Sequence, residues 1–498
     1  MNKKILISLS AFALLAGALT GCGKGDKGTA DAVAKASKMS LQELEEASRK
    51  EVEAKPDGQV KIVGLTSVLK SVAKTVAAKY EWLRYTEGKE AGDNLNVNNG
   101  YKDYQLLTAL DTAEDSYFAD YALVQDVRSF STMMEDGLTH NFVPSDGKSA
   151  LGLGDEALTP LYGVHFNKLF WTNTNFEHIT GKKLYNIWQV AGWDEYEVKN
   201  SDGTKTKVPV DHADHLSKVS FQKPDTEQIN MSFLVEVYGG ADKEAELKAA
   251  YEEYYGKAWA ASETYPTIGQ EWVTEFIANI KRWHSSDGTA MKETQLKDDW
   301  NEGFVYYGAF AKMKDAVGKA YVVDLNNDGT AGADETYTVE CDGKSYTYAN
   351  NTDEHARCGY KDEAKTQPVI GVNAMDTVKW DWNIKGFNGF MYCMDSQIIN
   401  NAEYPYTACL FARTMLEQKT YTDAIYNSKN PDAQGNAANQ YGYYYPGTAD
   451  ETFRYAKGDW TKEQHIAKEV NEKYDFLKNV RIGTVNTILA MVSSNKNK

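Results

Sequence analysis

Beyond its N-terminus this chain has no long hydrophobic run. After residue 21, no segment offers the roughly 20 consecutive apolar residues that a membrane-spanning helix needs, so we expect no transmembrane helix in the body of the protein. Clusters of Lys or Arg are also missing, and the 498-residue chain carries a formal net charge of −17. An acidic surface repels nucleic acid and anionic lipid headgroups, which argues against nucleic-acid binding.

The usual catalytic signatures are missing as well. The chain has no G-x-S-x-G, H-E-x-x-H or P-loop spacing. Those patterns place a nucleophile, a pair of zinc ligands and a phosphate cradle, respectively. The 71 Asp and Glu residues allow a carboxylate pair, but no spacing selects one. No motif in the chain therefore selects a class of enzyme.

The one long apolar run lies at the start of the chain. Lys3 and Lys4 precede the apolar stretch Ile5–Leu19, which ends in Leu-Thr-Gly followed by Cys22. This order is typical of a secretory signal, and the run is too short for a permanent membrane helix. The ending resembles a bacterial lipobox, in which Cys22 becomes the lipidated first residue. The alternative is an ordinary cleaved signal. Removal of the signal subtracts two positive charges, so the net charge changes from −17 to −19.

Cysteine is scarce, with five residues in the whole chain. An exported chain can oxidise the four that follow Cys22, and sequence alone permits three pairings. Cys341 and Cys358 enclose one polar segment, which favours a local disulfide between them. Cys393 and Cys409 lie in apolar segments that are typical of buried thiols.

Strand and helix patterns alternate from Ser40 onward. Ser40 and Glu43 have the spacing of a capping box that opens a helix to about Ala54. A buried strand is predicted at Val60–Leu65, and a second one at Tyr121–Val124. Between them, apolar residues at helical spacing predict an amphipathic helix with the face Val68, Val72, Val76, Tyr80 and Leu83. This alternation predicts an α/β protein with a parallel sheet and helices on both faces.

The second half of the chain continues the pattern. After a strand at Lys218–Phe221, Asp225 and Gln228 have capping-box spacing before a helix that Gly239-Gly240 ends. A further amphipathic helix is predicted from Trp272, Phe276, Ile280 and Trp283.

The chain is too long for one core, so we expect two or more lobes. The predicted organisation is a signal peptide at 1–21, a flexible tether at 22–39, a first lobe at 40–163, a second lobe at 164–317, a β-rich insertion in the second lobe at 318–367, and a return crossover with C-terminal helices contributing to both lobes at 368–498.

Four segments together resemble the extracellular solute-binding proteins of ABC importers, of the type II periplasmic-binding-protein family and its ferric and polyamine branch. Residues 40–44 with 60–63 resemble the opening helix and strand, 120–126 a strand facing the second lobe, and 160–167 the first crossover. Residues 401–411 are similar to a late helix that reads A-x-x-P-x-x-A-x-x-F. Tyr306-Tyr307 resembles the adjacent tyrosines that hold iron in ferric-binding proteins, although the flanking residues depart from the family pattern.

The resemblance implies a type II periplasmic-binding-protein fold with two lobes and a hinge, and it does not cover the β-rich insertion, which the composition of residues 318–367 predicts. It implies a lipid-anchored extracytoplasmic receptor, at the cell surface or in the periplasm, that captures a small solute between two lobes and delivers it to an ABC permease. The expected solute is a sugar, a polyamine or a ferric complex, and the expected state is a monomer without nucleic acid. A secreted carbohydrate-active enzyme and a surface adhesin lipoprotein are the alternatives.

Candidate ligand-binding residues follow strand ends, because open α/β sheets bind ligands beyond the carboxyl ends of their strands, where helix N-termini present N–H groups. In the first lobe these are Thr66, Ser67, Gln125 and Asp126, with capping and turn formation as the alternative role. Tyr162 lies in the predicted crossover.

Candidates in the second lobe follow the strand near residue 221 and the return crossover. Glu227, Gln228 and Asn230 begin a helix, although Gln228 has a capping role as its alternative. Trp380, Asp381 and Trp382 combine two aromatic rings with a carboxylate, which suits a sugar face or an amine. Core packing is the alternative role for these rings.

One segment of the insertion has the spacing of a calcium loop. Asp324, Asn326, Asp328, Thr330 and Glu335 occupy EF-hand ligand positions, yet their flanks have strand character instead of helical character. The alternatives are a hairpin stabilised by a structural calcium ion and a plain Asn/Asp/Gly turn. We expect no required cofactor.

Overall fold

The computed structural model describes residues 27–66, 68–88, 90–113, 116–154, 158–173, 183–191, 195–199, 204–209, 216, 219–290, 305–309, 336–341, 344–349, 357–361, 368–372, 378–379, 383–420, 423–424, 462–480 and 482–495. The helices in these ranges are α1 Lys27–Ala36, α2 Leu41–Glu53, α3 Val68–Lys79, α4 Asp103–Ala113, α5 Val127–Glu135, α6 Gln228–Gly239, α7 Glu244–Tyr255, α8 Ile268–Asn279, α9 Pro405–Met415, α10 Gln418–Thr420, α11 Lys462–Lys468, α12 Tyr474–Leu477 and α13 Ile482–Ser494, with a 3₁₀ turn at Ile187–Val190.

The strands are β1 Val60–Gly64, β2 Leu95–Asn98, β3 Tyr121–Val124, β4 Thr139–His140, β5 Tyr162–Asn173, β6 Glu195–Lys199, β7 Lys205–Pro209, β8 Val219–Gln222, β9 Ile280–His284, β10 Val305–Ala309, β11 Thr336–Cys341, β12 Lys344–Ala349, β13 Arg357–Lys361, β14 Pro368–Val372, β15 Val378–Lys379, β16 Gly389–Ile399 and β17 Val470–Asn471.

The chain forms two compact units. Unit 1 contains residues 1–163, 394–425 and 446–448, and unit 2 contains residues 164–393, 426–445 and 449–498. The chain leaves unit 1 within β5 and returns within β16, so two long strands carry these connections. Two units of mixed α/β structure confirm the predicted fold class.

In unit 1, the sheet has the order β2-β1-β3-β16, with β4 also paired to β16. Strands β1, β2 and β3 are parallel, while β16 is antiparallel to β3. The parallel sheet predicted from the alternating pattern is therefore mixed, because the returning strand runs in the opposite direction. The face predicted for helix α3 is confirmed, since its apolar residues Val68, Val72 and Val76 are buried.

The start of unit 1 confirms one prediction and corrects another. Ser40 and Glu43 form the predicted capping box, with the Ser40 N–H donating to Glu43 Oε2 at 2.8 Å. The flexible tether predicted for residues 22–39 is wrong over residues 27–36, which form α1. Its small apolar residues Ala32, Val33 and Ala36 are buried, and the helix contacts α9. Small side chains that suit a linker also suit a closely packed helix.

In unit 2, the sheet has the order β5-β10-β8-β9. Strand β8 is parallel to both β9 and β10, whereas β5 is antiparallel to β10. Aromatic rings on one face of this sheet pack against α6 and α8. Tyr307 stacks with Phe233 and Phe221 at centroid distances of 4.8 and 5.2 Å, and Phe170 lies beside it at 4.9 Å.

Two helix predictions in unit 2 need correction. The N-cap of α6 is Glu227, whose side chain accepts a hydrogen bond from the Ile229 N–H, and Gln228 is the first helical residue. The capping box of Asp225 and Gln228 is therefore wrong. The predicted C-terminal stop is confirmed, because Gly240 takes the left-handed conformation, φ 67°, that glycine adopts most easily.

The other correction concerns the helix that begins near Trp272. It ends at Asn279, and Ile280 and Trp283 belong to β9. Ile280 is fully buried in that strand next to Val219 of β8. The apolar residues thus continue from a helix directly into a strand. The spacing of four apolar residues is too short a pattern to show where the helix ends.

Residues 336–372 contain the hairpin β11–β12 and the hairpin β13–β14, as expected for a β-rich insertion. Asp324, Asn326, Asp328, Thr330 and Glu335 lie outside the described residues, so the calcium loop stays a prediction.

Cys341 and Cys358 lie in β11 and β13, but their side chains are outside the description, as is Cys22. Cys393 and Cys409 are buried, as predicted. Among the helices in the described ranges, none has the length and hydrophobicity to span a membrane.

Candidate functional site

The first candidate site lies at the carboxyl edge of the parallel strands in unit 1. Thr66 follows β1 there, is half-buried, and accepts a hydrogen bond on its hydroxyl oxygen from the Val68 N–H at 3.2 Å. That contact is the capping role foreseen as the alternative for Thr66. Ser67 lies outside the described residues.

Gln125 and Asp126 follow β3 at the same edge. A carboxylate from the first turn of α4 holds their backbone, because Asp103 Oδ2 accepts the Gln125 N–H at 3.0 Å and the Asp126 N–H at 2.8 Å. Asp126 is the N-cap of α5. Its Oδ2 accepts the Ser129 hydroxyl at 2.9 Å, and its Oδ1 accepts Arg128 Nε at 3.0 Å. The Asp126 carboxylate therefore starts a helix and forms an ion pair.

Sequence reasoning missed a third carboxylate at this edge. Asp395 lies on β16 directly opposite Val124, the last residue of β3. Its side chain is fully buried, and neither of its oxygens has a hydrogen-bond partner among the described residues. Burial raises the pKa of Asp395 well above its ordinary value, and the nearby Asp103 and Asp126 raise it further. The available signal was an acidic residue inside an apolar strand.

Tyr162 is the first residue of β5 and is half-buried. The backbone beside it is tightly packed, because a Cβ atom built on Gly163 would lie 2.6 Å from Met415 Cε and 2.9 Å from Leu123 Cδ1. Tyr162 thus stands at the point where β5 leaves unit 1, and its proposed role in ligand binding stays a prediction.

The second candidate site lies at the carboxyl edge of β8, β9 and β10 in unit 2. Lys168 of β5 is only 2% exposed, and its Nζ lies 2.8 Å from Asn230 Oδ1, 3.1 Å from Asp287 Oδ2 and 3.8 Å from Glu227 Oε2. Three polar residues, two from the start of α6 and one from the segment after β9, therefore meet around the buried ammonium group of Lys168. We call this set the Lys168 cluster.

Local structure explains why these side chains meet. Strand β8 ends at Gln222, whose carbonyl accepts Asn230 Nδ2 at 2.9 Å, so the first turn of α6 is fixed over the strand end. Asp287 follows β9 closely, and its Oδ2 also accepts the Ala309 N–H at 3.1 Å. The second oxygen of Asp287 is buried and has no hydrogen-bond partner among the described residues.

The structure brings Glu227 and Asn230 together as sequence reasoning expected. Gln228 is half-buried beside them at the start of α6, without the predicted cap. Lys168 and Asp287 were missed, because a strand lysine and a loop aspartate carry no motif. Trp380, Asp381 and Trp382 lie outside the described residues.

Tyr306 and Tyr307 are both fully buried in β10. Burial raises the pKa of Tyr307 well above its ordinary value, and Asp287 is the next cause. A phenol that keeps its proton is a poor ferric ligand, and the ring of Tyr307 packs among three Phe rings. Across the described residues, no group of three or more His, Cys, Asp or Glu side chains is arranged to hold a metal ion.

Two other polar contacts lie in unit 2. Asn167, His465 and Glu469 form a buried set in which Asn167 Nδ2 lies 3.1 Å from Glu469 Oε1, and His465 contacts the same oxygen. This set connects β5 to the end of α11. Near the start of β16, Cys393 Sγ lies 3.4 Å from His165 Nδ1.

No protein-family model matches this chain, and no curated protein matches it by sequence. Solved structures do match it. A Trichodesmium protein named IdiA or FutA, in complex with iron and citrate, has a TM-score of 0.47 and 9% identity, over 87% of this chain and 99% of that one. The apo ferric ion-binding protein A of Pasteurella haemolytica has a TM-score of 0.49 and 8% identity, over 89% and 100%.

An ABC transporter structure from Clostridium perfringens has a TM-score of 0.46 and 10% identity, over 87% of this chain and 100% of that one. All three TM-scores are below 0.5. The fold is therefore assigned from the strand order and the two compact units, and not from these matches. This chain is similar in fold to these proteins.

Proposed function

We propose that this chain is a solute-binding receptor, anchored by a lipid at Cys22 outside the cytoplasm, that captures a small solute and delivers it to an ABC permease. In this proposal the protein binds and releases its solute without a catalytic step. The anchor follows from the lipobox-like ending, and the permease from the resemblance of the sequence segments.

One observation supports solute capture most directly. In each unit, buried charged side chains gather at the carboxyl edge of the parallel strands, where open α/β sheets bind their ligands. In unit 2, Lys168 and Asp287 are almost fully buried at this edge, and Asp287 retains an oxygen without a described partner. Buried polar groups are normally hydrogen-bonded. An incompletely satisfied cluster at the ligand-binding edge therefore favours a binding role.

Among the described residues at these edges, several of the groups already named have structural or ion-pairing roles. The Asp126 carboxylate caps a helix, and the Tyr307 hydroxyl keeps its proton. The Lys168 Nζ lies 3.1 Å from Asp287 Oδ2 and 3.8 Å from Glu227 Oε2, so it takes part in ion pairs. These groups suit recognition by charge and hydrogen bonding.

The direct test is a thermal-shift screen of the chain without its first 21 residues against sugars, polyamines, amino acids and ferric complexes. A ligand that binds only the folded state raises the melting temperature. Isothermal titration calorimetry of each hit then gives the affinity and the stoichiometry. We expect at least one small solute to bind; if no solute class shifts the melting temperature, the proposal is wrong.

The alternatives make different predictions. Turnover of an oligosaccharide or an ester by the purified chain would favour a secreted carbohydrate-active enzyme. Binding to a surface or matrix without binding of any small solute would favour an adhesin. The lipid anchor is tested separately by expressing Cys22→Ser with radiolabelled fatty acid, where loss of both the label and membrane association is expected.

A further inference from the structure

Asp395 differs from the other buried carboxylates of unit 1. Asp120, for example, is also fully buried, but it accepts the Lys61 N–H at 2.7 Å, the Tyr117 hydroxyl at 2.8 Å and the Tyr404 N–H at 2.9 Å. Asp395 accepts no hydrogen bond from any described residue on either oxygen. Burying a carboxyl group without hydrogen-bond donors is unfavourable in free energy. The presence of Asp395 at a buried strand position therefore needs an explanation.

The position of Asp395 indicates that cause. It is level with the last residue of β3, and the N-termini of α4 and α5 lie next to that strand end. Val124 and Asp395 share one face of the sheet because they are directly paired. Asp395 therefore lies at the edge where this class of sheet binds ligands, among the groups that sequence reasoning had selected.

The charges around Asp395 select the kind of ligand. Asp103 and Asp126 lie near enough to disfavour its ionisation, and the described cation of this edge, Arg128, forms an ion pair with Asp126. An anionic ligand would add like charge to this acidic set. A neutral sugar would supply hydroxyl donors but no positive charge to offset this acidic set. A positively charged group supplies both donors and the opposite charge.

An organic cation fits better than a metal ion. The described residues contain no set of three His, Cys, Asp or Glu side chains with the arrangement of a metal site. An ammonium or guanidinium group needs acceptor oxygens without a fixed coordination geometry. Asp395 offers two such oxygens.

We propose that Asp395 binds the positively charged group, an ammonium or a guanidinium, of an organic solute. This inference rests on the proposed function and narrows it, because it excludes neutral sugars and anionic ferric complexes as the principal ligand class. It also assigns charge selection to a residue of the returning strand β16.

The test compares Asp395→Asn with the wild-type chain, with Asp111→Asn as the matched control. Asp111 is an exposed acid on α4 of the same unit, so its variant loses an equal charge away from the site. Each protein is titrated by calorimetry with 1,4-diaminobutane, spermidine, agmatine, glucose, maltose and ferric citrate. Melting temperatures are measured with and without each compound.

We expect at least one of the three amines to bind the wild-type chain and the Asp111→Asn control equally. Asp395→Asn should lower that affinity by about tenfold or more, as expected for loss of a desolvated charged partner. Its melting temperature without ligand should be unchanged or higher, because the variant removes an ionisable group that has no described partner. A purely structural role would lower that melting temperature instead.

The remaining outcomes overturn the inference in distinguishable ways. Binding of a sugar or ferric citrate alone would keep the receptor function and overturn the cation assignment. Amine binding that is unchanged in Asp395→Asn would remove Asp395 from the site. If no compound binds, the cation assignment is wrong for these chemistries, and the broader screen described above decides on the receptor function.

Discussion

The two units bury carboxylates at the same end of their sheets but balance them differently. In unit 2, Asp287 and Glu227 share the ammonium group of Lys168, which is 2% exposed. In unit 1, Arg128 pairs with Asp126, while Asp395 has no described partner on either oxygen. The first arrangement stabilises charged groups by pairing, whereas the second keeps the pKa of Asp395 high.

This difference separates two uses of buried charge. A paired cluster connects segments, as Lys168 of β5 does for the start of α6 and the end of β9. An unpaired carboxylate connects nothing in the described structure, and its burial is unfavourable unless it is protonated or meets a cation. We therefore expect substitutions in the Lys168 cluster to affect stability first, and substitution of Asp395 to affect binding first.

The largest expected effect is that of Lys168→Met. The substitution removes the cation but keeps the length of the side chain, so Asp287 and Glu227 lose their shared partner within the protein. Breaking a buried ion pair by removing one partner costs about 3–5 kcal/mol. Urea unfolding followed by tryptophan fluorescence reports on unit 2, because Trp82 is the one tryptophan assigned to unit 1.

Lys248→Met is the matched control for this prediction. Lys248 forms an exposed pair with Glu244 in α7, where the two side chains are 45% and 41% exposed. Exposed helical pairs contribute only about 0.3–0.5 kcal/mol, so the control should unfold almost as the wild type does. Equal midpoints for Lys168→Met and the control would show that the Lys168 cluster does not stabilise unit 2.

Much of unit 1 could be predicted because its signals are local. A capping box, a strand of apolar residues and helical periodicity each involve residues close in sequence, and the structure confirms them at Ser40, Val60–Gly64 and Val68. The helix at 27–36 was missed because a segment rich in small residues is compatible both with a flexible linker and with a packed helix. The antiparallel direction of β16 was missed because it depends on pairing with β3, more than 270 residues earlier in the chain.

The candidate site was predicted only in part, for a related reason. Gln125, Asp126, Glu227 and Asn230 follow strand ends, so their positions could be inferred from the order of elements. The candidate roles of Lys168, Asp287 and Asp395 depend on their burial and on neighbours that are distant in sequence. Asp395 has one sequence signal, an acidic residue inside an apolar strand, whereas Lys168 and Asp287 have no periodic or motif signal.

The second prediction concerns pH. Burial raises the pKa of Glu51 in unit 1 to about 7 and that of Glu236 in unit 2 to about 8, from an ordinary value of 4.5. Because the folded state keeps protons that the unfolded state releases above pH 4.5, stability falls as pH rises through this window. The loss from Glu51 is complete near pH 7, and that from Glu236 continues to about pH 8.

The losses are on the order of 3 kcal/mol for Glu51 and on the order of 5 kcal/mol for Glu236. Urea midpoints measured by circular dichroism at pH 5, 6, 7 and 8 test this. Glu51→Gln and Glu236→Gln should each reduce the dependence of the urea midpoint on pH, because Gln does not titrate. Any other destabilisation by these substitutions should be the same at every pH. Stability that rises between pH 5 and 8 in the wild type, with unchanged slopes in both variants, would contradict the assigned pKa directions.

The smallest expected effect compares the N-caps of α5 and α6 at the carboxyl edges of the two sheets. Asp126→Ala removes the acceptor for Ser129 at the start of α5 and leaves Arg128 without that carboxylate, so a loss of about 1–2 kcal/mol is expected. Asp126→Asn keeps a good capping residue and should recover most of the loss. Glu227→Ala removes a side chain that is 23% exposed, accepts the Ile229 N–H at 3.3 Å and lies 3.8 Å from Lys168 Nζ, so a loss of about 0.5 kcal/mol is expected.

Binding data for the same variants separate capping from recognition. If Asp126 acts only as a cap, the Ala variant loses stability and the Asn variant binds solute as the wild type does. If Asp126 also contributes charge at the site, Asp126→Asn weakens binding of a cation while its urea midpoint stays near that of the wild type. An Asn variant as unstable as the Ala variant would contradict the capping role, because Asn and Asp cap helices about equally well.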